Sequence, residues 1–343
     1  MEHSVPRLSV VIPAFQSAHV IFKAVTSVLD QPVAGVEVVV VDDGGADDIA
    51  GALASLTSDE RLRLIHQDRA GVSVARNLGV RESRGAFLMF VDADDRLTPG
   101  SLGGFLEFAI ESRSDVVISD FFLTRGAEGE LVKAVNSDLR SFDTSDREVL
   151  QWLTLARVGF QNKPNVGLLG APWSKIYSRT FLEERFGREN LFLPGLTRGQ
   201  DVLFNTEVFG EASRIGYWPF ATYSYSVSSD SSSHRPAHDF ADKIALLEAS
   251  LQQLISSKGW GHLRPAVAKM VVTLFEESLL RIGSGLSSAK VRDLRSRPPV
   301  RTALKSARLR DFSLAGRVKL LAFRVGPRCT ALLMRALRRI SRR

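Results

Sequence analysis

One cysteine in 343 residues, no apolar run long enough to cross a bilayer, and no glycine in the turn after the first apolar segment are three shortages that narrow the possibilities. Cys329 has no second cysteine to join, so no intrachain disulfide forms and nothing asks for an oxidising compartment. No stretch approaches the ~18 apolar residues that span a membrane. The start, Met1-Glu2-His3-Ser4, lacks a basic n-region, and the apolar stretch behind it, Leu8 to Phe15, has the length of a strand and not of a secretion signal. A soluble or membrane-peripheral chain in the cytoplasm is the expectation. After Leu8-Ser9-Val10-Val11-Ile12 the turn reads Pro13-Ala14-Phe15-Gln16-Ser17. That excludes the G-x-G-x-x-G of a dinucleotide-binding oxidoreductase, and equally the Gly-rich loop of a nucleotidyltransferase. No internal repeat is visible.

What is present is unevenly distributed. Residues 290–343 hold seventeen Lys and Arg against Asp293 and Asp311, a balance of +15, which leaves −8 for residues 1–289 of a chain whose net charge is +7. An acidic body with a basic tail implies an anionic partner for the tail, and membrane lipid and nucleic acid are the two candidates. The hydrophobic fraction of 44% supports an ordinary globular core, and the length has room for two domains. The expected division is 1–230 and a helical region, 231–343.

Strand and helix patterns alternate from the N-terminus. Leu8–Ile12, Val36–Val41, Arg63–His66 and Phe87–Val91 are short β-rich runs, while Val20–Leu29, Ala46–Leu56 and Ser73–Val80 have helical spacing. Alternation at this pitch predicts βαβ units and an α/β fold with a largely parallel sheet. Residues 121–156 have a weaker pattern, apart from a helix near Glu148–Leu155. Further on, Val202–Phe209 reads as a helix, Tyr217–Tyr225 as a strand, Ser226–His234 as a serine-rich loop, and Asp239–Ile255 and Val267–Ile282 as helices.

Three acidic segments carry the chemistry. Asp42-Asp43-Gly44-Gly45 and Asp92-Ala93-Asp94-Asp95 each close a buried strand, and Gln200-Asp201 precedes a helix. In open α/β sheets ligands sit beyond the carboxyl ends of the strands, where carboxylates converge on a polyphosphate and its metal ion. Mg²⁺ and Mn²⁺ are held by only one or two protein carboxylates, the rest being phosphate and water. Asp92 and Asp94 lie two apart and share a face when extended, so they suit a metal or a ribose; the plain alternative is an acidic turn. One of Asp42 and Asp43 is placed to accept a base N–H, preferably Asp43, while the other caps the next helix. The implied ligand is a nucleotide sugar.

With these segments in hand, the chain resembles the inverting family 2 glycosyltransferases of the GT-A fold, of the type that builds bacterial cell-surface polysaccharides. The likeness rests on Ser9–Phe15, Val41–Gly44, Gly71 with Ala75–Gly79, Phe90–Asp95, Trp173–Tyr177 and Asp201–Phe204, in that order. It implies a Rossmann-like, mostly parallel mixed sheet flanked by helices, with a C-terminal helical extension. It further implies that Pro13, Ala14, Phe15 and Asp43 hold the nucleobase, usually uracil. Asp92 and Ala93 would lie near the ribose, and Asp94, with Asp92, would bind Mn²⁺ or Mg²⁺. Asp201 would be the general base for an acceptor hydroxyl of a glycan, glycolipid or polymer. Trp173 and Lys175 match positions near the donor sugar and acceptor, Trp173 being equally a core aromatic. Arg76 and Asn77 open a helix near the diphosphate, Arg76 being equally half of an ion pair. His234 is a diphosphate contact or a solvated loop histidine. Where the family often has Glu-Asp, this chain has Gln200-Asp201. A catalytically inactive, membrane-associated relative that only binds nucleotide or carbohydrate is the rival to an enzyme.

The tail is broken by Gly326-Pro327. From Arg328 to Arg342, Leu332, Leu333, Met334, Ala336, Leu337 and Ile340 fall on one side of a helix and the arginines on the other, the pattern of an interfacial helix on an anionic membrane. In Leu314–Val325, Leu320 and Phe323 stray from a Leu314, Val318, Leu321, Val325 stripe. Helices packed on the protein, with arginines in water, are the plain alternative. Nucleic acid would explain the tail but not three acidic motifs.

Overall fold

The computed structural model describes residues 5–126, 128–135, 138–156, 168–227, 240–282 and 285–341. The chain divides into two compact units, Met1–Leu150 with Lys163–Ser233, and Gln151–Asn162 with His234–Arg343.

The first unit alternates as expected at its start: β1 (Leu8–Ala14), α1 (Ile21–Leu29), β2 (Val36–Asp42), α2 (Ile49–Ala52), β3 (Leu62–His66), α3 (Val72–Glu82) and β4 (Phe87–Phe90). The order β3-β2-β1-β4 is parallel throughout. The valines of β2 are buried, as a strand covered on both faces requires. Pro13 does not end β1, which runs to Ala14. Its pairing with β4 stops at Val11, so from there β1 has a ladder partner only on the β2 side and a missing N–H is tolerated. The helix expected over Ala46–Leu56 shortens to α2, capped by Asp48, because Gly51 in its middle is a poor helix former.

The segment with the weakest sequence pattern contributes more strand than helix. After β5 (Arg96–Leu97) and α4 (Leu102–Ser112) come β6 (Val116–Arg125), β7 (Glu128–Val132), β8 (Ser141–Phe142) and α5 (Arg147–Ala156). Then follow β9 (Lys175–Ser178), α6 (Arg179–Phe186), α7 (Gln200–Glu211) and β10 (Ile215–Ser226). β9 inserts antiparallel between β4 and β6, and β10 lies parallel to β6, so the sheet is mixed. Its core joins Val10, Val38 and Met89 to Phe105, Phe121 and Trp173.

The second unit is helical: α8 (Phe240–Lys258), α9 (Arg264–Arg281), α10 (Ser288–Ser296), α11 (Pro298–Ser306), α12 (Leu314–Val325) and α13 (Pro327–Ser341). α9 packs on α8 and α11, and α13 on α10 and α12. Both tail helices pack on their neighbours and leave part of their apolar surface open. Leu320 and Phe323, the two strays, are the buried residues of α12, with Phe323 edge-on to Phe275 at 5.3 Å. On α13, Ala331 and Met334 are buried while Leu332 is exposed. The side chains of residues 338–342 lie outside the described residues. Among the described residues no helix is long and apolar enough to cross a membrane.

Candidate active site at the strand ends

Since β2 and β4 flank β1 on opposite sides, the winding reverses at β1, and a ligand crevice is expected beyond its carboxyl end. Pro13, Ala14 and Phe15 lie there, with Asp42 and Asp43 at the end of β2 and Asp92 to Asp95 after β4. His234 and the serine-rich loop beyond Val227 fall outside the described residues.

Asp43 is buried and bound to the loop leading into α3. Its Oδ1 accepts from Gln67 Nε2 at 2.7 Å and the Ala70 N–H at 2.8 Å, and its Oδ2 accepts from the Gly71 N–H at 2.9 Å. Asp42 instead pairs with His66 Nδ1 at 3.0 Å and accepts the Gly44 N–H. Gly44 has φ +64°, and a Cβ there would stand 2.8 Å from the Arg69 N atom, so glycine lets the two loops meet. The Arg69 guanidinium lies 4.4 Å from the centre of the Phe15 ring, a cation–π contact.

The four residues Asp92 to Asp95 play different parts. Asp95 is buried and accepts from the Tyr223 hydroxyl at 2.7 Å and the Ser226 N–H at 2.7 Å. The same hydroxyl accepts the Asp92 N–H at 3.1 Å. Burial, then repulsion from Asp92 and Asp94, holds the Asp95 carboxyl well above the usual range. Asp94 is exposed and bonds no other residue; partial desolvation and Asp92 raise it too. Ala93 is buried, and the segment is a turn and not extended, the Asp95 N–H donating to the Asp92 carbonyl at 3.0 Å.

Arg76 sits one turn into α3, where its side chain is 5% exposed and donates Nη2 to Asp92 Oδ1 at 2.8 Å. Its guanidinium lies 5.2 Å from the centre of the Phe192 ring. Asn77 holds the segment carrying that ring: its Nδ2 donates to the Phe192 carbonyl at 2.7 Å and its Oδ1 accepts the Phe192 N–H at 2.9 Å. Both groups therefore lie within the helix and not at its start.

Trp173 and Lys175 are separated by Ser174, a non-glycine residue at φ +54°, a costly backbone that sends its neighbours apart. Trp173 is buried, stacked on Tyr223 at 4.8 Å and Tyr225 at 5.1 Å, with Phe121 edge-on at 4.9 Å. Lys175 is also buried, its Nζ donating to the Ala171 carbonyl at 2.7 Å. Burial lowers its pKa to about 7, against the pull of Asp201.

Asp201 occupies the first turn of α7 and accepts the Val202 N–H at 2.9 Å, where the helix N-terminus favours a negative charge. Burial nonetheless pushes its carboxyl up, with Arg76 lowering and Asp92 raising it. Arg76, Asp92, Lys175 and Asp201 thus share one electrostatic environment, built from α3, the β4 end, β9 and α7. Tyr223, Tyr225 and Phe192 were not singled out in sequence, where they read as ordinary strand or loop aromatics. The signal for the two tyrosines is the aromatic density of Tyr217–Tyr225, and Phe192 has none.

Among the described residues no cluster of three or more metal-ligating side chains is assembled. A pair of carboxylates nevertheless fits Mn²⁺ or Mg²⁺, which need only one or two when phosphate and water complete the shell. Asp94 has no competing side-chain partner, and Asp92 has one oxygen outside its Arg76 bond.

Sequence comparison decides the family, since glycosyl transferase family 2 matches residues 9–186. The chain belongs to glycosyl transferase family 2. Its similarity to the succinoglycan biosynthesis protein ExoO of Rhizobium meliloti is 31% identity over 256 residues, 73% of this chain and 69% of that protein. The uncharacterized glycosyltransferase EpsJ of Bacillus subtilis is 28% identical, over 68% of this chain and 66% of its own length. Among solved structures, S. aureus TarS 1–349 in complex with UDP-GlcNAc superposes with TM-score 0.63 at 20% identity, over 97% of this chain and 92% of that one. A longer TarS chain gives TM-score 0.65 at 18% identity, over 96% of this chain and 55% of that one. This family 2 chain therefore has the α/β, GT-A-like fold of TarS, with a helical C-terminal region.

Proposed function

We propose that this family 2 glycosyltransferase moves a hexosyl group from a nucleoside diphosphate sugar, preferably a UDP-sugar, to a hydroxyl of a glycan, glycolipid or cell-surface polymer, with inversion. The observation that carries the reading is the convergence of Asp201 with Arg76 and Asp92 in one partly buried site. A carboxyl raised by burial is a stronger proton acceptor than a solvated one. Asp201 accepts the acceptor hydroxyl proton as that oxygen bonds to the anomeric carbon. The bond from that carbon to the diphosphate oxygen breaks with its electron pair, and nucleoside diphosphate leaves. The proton then passes from Asp201 to solvent.

Pro13, Ala14, Phe15 and Asp43 hold the base in this proposal. Ala93 and Asp92 lie along the ribose, and Arg76 faces the diphosphate. Asp94 and Asp92 hold Mn²⁺ or Mg²⁺, which when bound offsets charge developing on the leaving group. Lys175 steadies Asp201, and Trp173 braces Tyr223 beneath the acidic loop. The UDP-GlcNAc complex of TarS supports a nucleotide-sugar donor by likeness of fold.

Asp201→Asn tests the assignment, because it keeps size while removing proton acceptance. Transfer falls by roughly 10² or more while donor affinity stays within a few-fold. Wild-type transfer in this variant would place the base elsewhere.

A further inference from the structure

α12 carries two opposed apolar faces, and only one is used by the protein. Leu320 and Phe323 are fully buried. The helix edges are tied down as well: Lys319 Nζ meets Glu276 at 2.6 Å, and Arg324 donates to the Leu304 carbonyl at 2.6 Å. The opposite face is apolar and open. Leu314 is 78% exposed, Val318 54%, Leu321 48% and Val325 73%. At 100° per residue these four fall within about 60° of one another, nearly opposite the buried pair. Arg317 borders this stripe, its Nε fixed by the carbonyls of Leu309 and Phe312 at 3.0 and 3.1 Å. Exposed Arg308 and Arg310 precede the helix, and exposed Arg328 lies in the first turn of α13.

We infer that α12 is a membrane-surface anchor that sets Leu314, Val318, Leu321 and Val325 into the headgroup boundary of an anionic bilayer, with Arg317 and its neighbours on the lipid phosphates. The charge decides among occupants. Four aligned aliphatic side chains have no use on a nucleic acid, and a second copy would bring one +15 segment against another. An anionic lipid surface satisfies both the aliphatic stripe and the cations. The anchor is α12, because α13, with the cleaner sequence pattern, buries Ala331 and Met334 against its neighbours. The inference is independent of the donor reading, since α12 carries none of the residues proposed to hold donor or acceptor.

The test uses the full chain and vesicles of phosphatidylcholine with or without about 30 mol % phosphatidylglycerol. Wild-type protein sediments with the anionic vesicles, at least about tenfold more weakly with the neutral ones, and less in high salt. The double substitution Val318→Glu with Leu321→Glu alters exposed positions only, so circular dichroism, thermal midpoint and stabilisation by UDP are unchanged. Its partition onto anionic vesicles falls about tenfold or more. Arg317→Glu weakens binding to anionic vesicles and leaves neutral ones unaffected. Sedimentation of the double variant equal to wild type overturns the anchor, as does absence of wild-type binding at low salt. A wild-type dimer that the double variant converts to monomer, without vesicle binding, makes the stripe a self-association face instead. Tight duplex-DNA binding without vesicle binding gives the tail to nucleic acid.

Discussion

The Tyr223 hydroxyl donates to Asp95 Oδ2 at 2.7 Å and accepts the Asp92 N–H at 3.1 Å, so one side chain of β10 fixes both ends of the Asp92–Asp95 segment. Asp95 is fully buried and its carboxyl is held well above the usual range. Its bonds to Tyr223 and Ser226 are what make that burial tolerable. Asp95 is therefore the root of the acidic loop, and Asp92 and Asp94 are its outward arms.

Tyr223→Phe removes only that hydroxyl. It leaves one Asp95 oxygen and the Asp92 N–H unpaired, and a buried group left so costs about 1–3 kcal/mol. The expected outcome is a lower thermal midpoint together with weaker metal-dependent donor binding, measured by calorimetry. A variant as stable as wild type that binds donor equally well would show that the loop does not depend on this hydroxyl.

Lys175 gives a pH dependence with a definite sign. Its pKa is about 7 in the folded protein and 10.5 in its ordinary state. Between those values the unfolded chain holds a proton that the native chain lacks, so this group makes stability rise with pH from about 7 towards 10.5. Below 7 its cost is full. Lys175→Met removes the charge and keeps much of the volume. It should be stabilised relative to wild type by a few kcal/mol at acid pH, a difference that shrinks by about 1.4 kcal/mol per pH unit in the alkaline range. Urea unfolding of both proteins at acid and alkaline pH measures it; a difference independent of pH would mean that Lys175 stays charged when buried. Asp201, whose carboxyl is raised, acts in the opposite sense at lower pH.

Donor turnover is expected to require Mn²⁺ or Mg²⁺. Asp94→Ala should keep the fold, since the residue is exposed and bonds nothing else, and should lose most metal-dependent affinity for UDP. Isothermal titration with and without EDTA reads this directly. Full turnover in excess chelator would remove the metal from the account.

The early strands were legible because buried parallel strands are continuous Val and Ile runs, and each motif sits where such a run stops. Asp43, Asp92 and Asp94 could thus be placed at strand ends from sequence alone. β6 and β9 were not, because their partners are remote: β9 pairs with β4 and β6 across long sequence separations, and nothing local marks that insertion. The role of Tyr223 depends on the same remoteness, its partner Asp92 lying 131 residues away. Which apolar face of α12 packs on the protein was not legible for a different reason. Periodicity finds an apolar face, but two candidate faces on α12 were separated only by what packs there, and Phe275 selected Phe323.

Gly79 has a consequence for Arg76. A Cβ at Gly79 would stand 2.3 Å from Val11 Cγ1, so at this point α3 sets its bare backbone directly on the Val11 side chain of β1. Arg76 lies one turn back along that helix, and the height of its guanidinium above the sheet is therefore set by helix backbone resting on the Val11 side chain. A methyl group at position 79 would act as a shim, lifting the helix and carrying the arginine away from Asp92 while leaving every polar residue of the site in place. The strength of the charge pairing at the strand ends is in this sense gauged by the thickness of one hydrogen atom.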